Sequence, residues 1–270
     1  MIQITNLNFR YGKKVDLFDD LSFTENAGSI VGVLGKNGAG KSTLLKLITG
    51  LLVNKQNAIV VMDENPSHRK PSFLEEIYFI PEEYDLPPIK IKEFVKANSL
   101  FYPHFDQAKL NGILSDFELD GDSRLSKLSY GQKKKFLIAF ALSTNCKLLV
   151  LDEPTNGLDI PSKAIFRKVV AGSLSEDQLV LISTHQVKDV ENLIDKIVVI
   201  DNGKIIFHKS IWEVSEKYTF NTVRDVDESQ SLYAEVAPGG FRVMKPVNGV
   251  PTDVDIELLF NAVIQGIQIN

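Results

Sequence analysis

The chain has a single cysteine in 270 residues, Cys146, so no internal disulfide can form and a reducing compartment is expected. It has no apolar run approaching the roughly 18 to 20 residues that a membrane-spanning helix needs. The opening residues, MIQITNLNFRYGKK, lack a basic start followed by an apolar block, so no secretory signal is expected there. Charge of one sign is also missing: the net charge is −5 and is not gathered into acidic or basic tails, which argues against a nucleic-acid partner. There are four histidines, and no metal-ligand spacing joins His68, His104 and His208. Internal repeats and low-complexity stretches are absent. What is present is an ordinary globular mixture, 44% hydrophobic and 24% charged. It suffices for one large α/β domain with an appendage. The expected protein is soluble and cytoplasmic, and reaches a membrane only through a partner.

Apolar patterning divides the chain. Ile2–Phe9 alternates as a strand does, and Ser29–Leu34, Lys147–Leu151, Gln178–Ser183 and Lys196–Ile200 are short apolar runs suited to buried strands. Ala58–Met62 is another β-like run, and Lys41–Leu51 has helical spacing that stops at Gly50. From about 83 to 145 strand-like runs become scarce, and Ile91–Phe101 and Gln107–Phe117 read as helices, so a helical insert is expected there. Alternation of strands and helices elsewhere predicts a mostly parallel sheet covered on both faces. Asn202-Gly203 signals a hairpin, and Ile211–Tyr218 reads as a closing helix. Beyond about Phe220 a small extension is expected, with strands near Ser231–Val236 and Phe241–Val247 and a helix over Asp253–Gln265.

The most informative segment is GKNGAGKST: Gly35, Lys36, Asn37, Gly38, Ala39, Gly40, Lys41, Ser42 and Thr43. It follows an apolar strand and opens a helix, the context that a phosphate loop requires. Glycines let backbone N–H groups converge on phosphates with no Cβ in the way, and the helix adds its positive end. Lys41 is expected to reach the β and γ phosphates, and Ser42 to ligand Mg2+. Further on, LLVLDEP sets Asp152 and Glu153 at the carboxyl end of a buried strand, the edge where open α/β sheets bind ligands. Asp152 is suited to hold Mg2+ and Glu153 to orient or deprotonate an attacking water. Taken alone, the two carboxylates could equally cap the next helix, and Ser129 in LSYGQ could be a plain N-cap.

In order, Tyr11, GKNGAGKST, IPEEY, LSYGQ, LLVLDEPTNGLD and STHQ make the chain resemble the ATP-binding subunit of an ABC transporter. The resemblance covers about residues 2 to 218. It implies a P-loop NTPase domain at 1–219, with a mostly parallel central sheet, an N-terminal antiparallel β subdomain and the helical insert as a subdomain. A small C-terminal α+β extension would follow at 220–270. It also implies a head-to-tail homodimer around two ATP, in which Ser129, Gly131 and Gln132 of one subunit engage the nucleotide of the other. Tyr11 would stack on adenine, Asp159 would line the dimer seam, and His185 would sense the γ phosphate beside Glu153. Glu82 stands where the family usually has Gln and would contact Mg2+ and the attacking water. Tyr130 stands where LSGGQ has Gly, and the contact made by Ser129 is expected to survive it.

The family touches its membrane subunit through the helical insert. The resemblance therefore implies a separate transmembrane permease and a peripheral position at the inner face of the cell membrane. The Glu82 pattern and the extension favour an exporter ATPase. An importer ATPase, a soluble ATPase of the iron–sulfur assembly type and a regulator without turnover are the rival readings, although intact Lys41, Asp152, Glu153 and His185 count against the last.

Overall fold

A computed structural model describes residues 1–12, 15–227, 229–247 and 249–269. Lys13 and Lys14, which end the opening segment, and Glu228, Asn248 and Asn270 of the extension lie outside the described residues. In chain order the elements are β1 (Ile2–Phe9), β2 (Phe18–Glu25), β3 (Ser29–Leu34), α1 (Lys41–Ile48), β4 (Ile59–Val61), α2 (Pro71–Leu74) and β5 (Ile77–Ile80). Next come α3 (Ile91–Asn98), α4 (Gln107–Asp116), α5 (Tyr130–Ser143), β6 (Leu148–Asp152), α6 (Ile160–Ala171), β7 (Leu179–Thr184), β8 (Lys196–Asp201) and β9 (Lys204–Ser210). The chain closes with α7 (Ile211–Ser215), β10 (Tyr218–Val223), β11 (Tyr233–Ala237), β12 (Gly240–Pro246) and α8 (Ile256–Ile264).

The central sheet runs β5-β6-β7-β3-β8-β9, with the first five strands parallel and β9 antiparallel. Its inner strands are buried along their whole length, as a sheet covered on both faces demands. The antiparallel β9 is explained by the turn at Asn202-Gly203, whose φ values of 46° and 75° suit a tight hairpin. A second sheet, β2-β1-β4, is antiparallel and packs with α1 over one face of the central sheet. It is also pinned by charge: buried Glu25 on β2 pairs with Lys196 on β8 and His208 on β9.

The other face carries α5 and α6, with α3 and α4 beyond them. Phe140 on α5 is its hub, touching the rings of Tyr78, Phe94, Tyr102, Phe105 and Phe136. The two fully buried rings, Phe136 and Phe140, contribute roughly 1.5–3 kcal/mol each of hydrophobic stabilisation, and with the partly buried rings around them they fasten the helices of the insert to the sheet. No strand occurs between β5 and β6 among the described residues. Three strands are not read from the sequence: β2, whose alternation is broken by Asp19 and Asp20; β5, only four residues long; and β10. The expected helix over Ile211–Tyr218 ends at Ser215, and Tyr218 instead opens β10, which straddles the expected boundary at 219. The extension is a three-stranded sheet, β10-β12-β11, with α8 capped by Asp255. No helix among the described residues is long and apolar enough to cross a membrane.

Candidate functional site

Sheet register gathers the functional candidates. β7 lies between β6 and β3, pairing Leu34 with Thr184 and Asp152 with Ser183. β5 adds the rung Ile80–Leu151. Four parallel strands therefore end together, and the segments that follow them carry Gly35, Asp152-Glu153, His185 and Glu82 to one edge. Of these, Glu82, Glu153 and His185 border a cleft of about 500 Å³ that is also lined by Tyr11, Leu17, Asn37, Gly38, Gly40, Lys41, Ser42 and Thr43.

The loop before α1 is shaped by its glycines. Gly40 sits at φ 104°, and a Cβ there would lie 2.7 Å from the Phe18 ring. Gly38 sits at φ 83° with nothing within 4 Å of a Cβ position, which leaves open space over the loop. Lys41 Nζ donates to the carbonyls of Gly35 (2.8 Å) and Lys36 (3.3 Å), so the loop curls around its own ammonium. Burial draws the Lys41 pKa below the ordinary lysine range, against the opposing pull of Glu153, Asp152 and Glu82. Tyr11 Oη hydrogen-bonds Thr43 Oγ1 at 3.0 Å and the ring packs edge-on against Phe9, which fixes it at the rim.

Glu153 adopts φ 48°, a left-handed conformation unusual for a side chain of its size. Its N–H is held by the Ser183 carbonyl (3.1 Å) and Ser183 Oγ (3.2 Å), and the same hydroxyl donates to Asp152. The kink turns a nearly buried carboxylate towards His185, whose Nδ1 lies 2.8 Å from Glu153 Oε1. With its proton on Nδ1 the ring donates to Glu153 and keeps Nε2 as an acceptor. Asp152 is 2% exposed and does not line the cleft; neither do buried Gly35 and Ala39, nor exposed Lys36.

Glu82 is held from the far wall: Asn156 Nδ2 donates to its Oε1 at 3.2 Å, and Gln186 Nε2 donates to Asn156 Oδ1 at 3.2 Å. This side-chain relay, together with Ser183, Tyr84 and Lys134, is not read from the sequence.

Ser129, Gly131, Gln132 and Asp159 do not line this cleft. Ser129 caps α5 and forms a reciprocal box with Gln132: Ser129 Oγ accepts from Gln132 N–H at 3.2 Å, and Gln132 Oε1 from Ser129 N–H at 2.9 Å. Asp159 caps α6 through Ser162 N–H at 2.9 Å, and bonding to Ser162 lowers its pKa. A Cβ on Gly131 would lie 2.6 Å from the Gly157 carbonyl, so the first turn of α5 touches the segment before α6.

The cleft fits a nucleotide and its metal. The loop is open where a Cβ would fill it, and Ser42 and Glu82 on the lining offer oxygen donors, the type that Mg2+ prefers. No group of three His, Cys, Asp or Glu able to cage a metal occurs among the described residues.

A strand–loop–helix phosphate cradle beside a strand ending in acid defines a P-loop nucleotide hydrolase. The ABC transporter family model matches residues 18–156. A lantibiotic transport ATP-binding protein, SrtF of Streptococcus pyogenes, is 32% identical over 216 residues, covering 77% of this chain and 90% of that protein. Nod factor export ATP-binding protein I of Bradyrhizobium diazoefficiens is 31% identical, covering 86% of this chain and 79% of that one. Among solved structures, the ATP-binding subunit of an ABC transporter superposes with a TM-score of 0.71 at 24% identity, covering 79% of this chain and 91% of the other. The dimeric cassette MJ0796 bound to ADP and Pi gives 0.68 at 19%, covering 78% and 98%. The chain belongs to the ABC transporter ATP-binding family, and it is an ATP-binding ATPase.

Proposed function

We propose that this ATPase is the motor subunit of an exporter, working as a homodimer on a separate transmembrane permease at the inner face of the cell membrane. The observation that carries the site assignment is the meeting of the Gly35–Thr43 loop with the Glu153–His185 pair at one sheet edge. The export direction is supported by relatives named for lantibiotic transport and Nod factor export. In this reading Met1–Thr219 is the ATPase domain, with about 83–145 its helical subdomain, and 220–270 is an extension.

Backbone N–H groups of Gly38, Gly40 and Lys41 cradle the phosphates of ATP, helped by the rest of the loop from Gly35 to Thr43. The Lys41 ammonium exchanges its loop carbonyls for phosphate oxygens, a stronger charge-assisted bond. Tyr11 offers its ring face to adenine. Ser42, Glu82 and Asp152 would hold Mg2+, directly or through water, and the ion would supply neutralisation of phosphate charge. Glu153 orients the attacking water and takes its proton, while His185 holds the carboxylate in place through its Nδ1–H and senses the γ phosphate from beside Glu153. Ser129, Gly131, Gln132 and Asp159 face the nucleotide of the second subunit, so ATP joins the subunits and hydrolysis releases them.

The test uses tagged Glu153→Gln protein held with ATP in its native cell and captured from gently solubilised membranes. A polytopic membrane protein in stoichiometric amount is expected. A wholly soluble partner set would replace this reading with an assembly ATPase.

A further inference from the structure

Lys134 is the middle residue of a lysine run at the start of α5, yet it is 0% exposed. Among the described residues no carboxylate lies within 4 Å of its ammonium. A buried charge without a paired counter-charge is costly unless other groups replace its hydration. Here they do. Nζ donates to the carbonyls of Pro81 and Glu82, both at 3.3 Å, and lies 4.8 Å from the centre of the Tyr84 ring and 5.8 Å from that of Tyr130. Burial draws its pKa down to about 8, against the pull of Glu82, Asp152 and Glu153.

The two rings form a second tie. Tyr84 and Tyr130 stack with centroids 5.5 Å apart and planes 17° apart. Tyr130 Oη donates to the Glu82 carbonyl at 2.9 Å, and Tyr84 Oη donates to the Tyr130 carbonyl at 3.1 Å. The Glu82 carbonyl thus accepts from both Lys134 and Tyr130. Gly157 packs against one edge of the Tyr130 ring, and a Cβ there would lie 2.5 Å from it. A glycine in place of Tyr130 would make neither the stack nor the hydroxyl bond.

We propose that Lys134 and Tyr130 are positioning residues for ATP hydrolysis, fastening the Glu82 backbone to the first turn of α5. The Glu82 carboxylate then keeps its place in the cleft and shifts only together with Ser129, so the two halves of the divided site are coupled within each subunit. The inference rests on the reading that Glu82 serves ATP hydrolysis in this cleft.

The test compares wild type, Tyr130→Phe and Lys134→Met in two measurements: amide hydrogen exchange over residues 82–84, and steady-state hydrolysis resolved into kcat, KM for ATP and half-saturating Mg2+. Tyr130→Phe removes one hydroxyl bond, which predicts about fivefold faster exchange at 82–84. It should also raise half-saturating Mg2+ about threefold or more and lower kcat, with KM for ATP within about twofold. Lys134→Met should exceed these effects, about tenfold in kcat; if that buried substitution prevents folding, Tyr130→Phe alone decides. A merely structural role would lower activity alike at every Mg2+ concentration. The proposal is overturned if Tyr130→Phe exchanges as wild type does, or exchanges faster with kcat and Mg2+ dependence unchanged. A wild-type chain that hydrolyses no ATP would instead overturn the functional reading, while the exchange measurement would still judge the tie itself.

Discussion

The helices α1 and α5 both begin where the sequence promises an anion-binding end, but their first turns are finished differently. The cap of α1 is Gly40, at φ 104°, with no side-chain hydrogen bond on it. The cap of α5 is Ser129, engaged in a full capping box with Gln132, and its next residue is stacked and bonded against Tyr84 and Glu82. The first end is left open for a ligand. The second is satisfied by its own chain and offers an anion only what the box leaves over. A helix terminus becomes a strong phosphate site when the cap withholds side-chain partners, and a weaker docking point when the cap supplies them.

That contrast can be broken most sharply at the acid facing the first end. Glu153→Gln is expected to bind ATP as wild type does, hydrolyse it about 10²- to 10⁴-fold more slowly and accumulate as a dimer. Wild-type turnover in this variant would remove Glu153 from catalysis. At the cradle, Lys41→Ala should weaken ATP affinity by about tenfold to a hundredfold, the worth of a charge-assisted phosphate contact; unchanged affinity in a nucleotide titration would contradict the loop assignment. At the second end, Ser129→Arg in the Glu153→Gln background should leave single-subunit ATP binding intact and abolish ATP-driven dimerisation. A dimer in undiminished amount on size-exclusion chromatography would sink the divided site. The smallest effect is a control far from both ends. Burial pushes the Cys146 thiol up to about 12, so at pH 8 it should stay protonated and unreactive towards a thiol reagent until the chain unfolds. Labelling of the native protein at the rate of the denatured one would show that the core beside α5 opens.

Much of the fold and of the cleft is legible in the sequence. Glycine spacing, the apolar run ending in Asp152-Glu153 and the hairpin at Asn202-Gly203 each require a particular backbone, and they carry that requirement wherever they occur. Segments whose fate depends on distant partners are harder to read. β2 hides behind Asp19 and Asp20, and β5 is only four residues that become a strand by pairing with β6. Lys134 looks like an exposed charge because local pattern gives no sign that Pro81, Tyr84 and Tyr130 will close over it.

The sequence by itself determined the chemistry: a glycine-lined loop with Lys41 and Ser42, acids at a strand end, and a histidine after the neighbouring strand. These are local choices, set by backbone freedom and by strand length. Tertiary structure decided which of them meet. The register of β3, β7 and β6 brings Lys41, Glu153 and His185 to one cleft, while Ser129 and Asp159 are kept off it as helix caps. The physical reason is that strand pairing and ring packing act between residues far apart in the chain, and no window of sequence contains both partners.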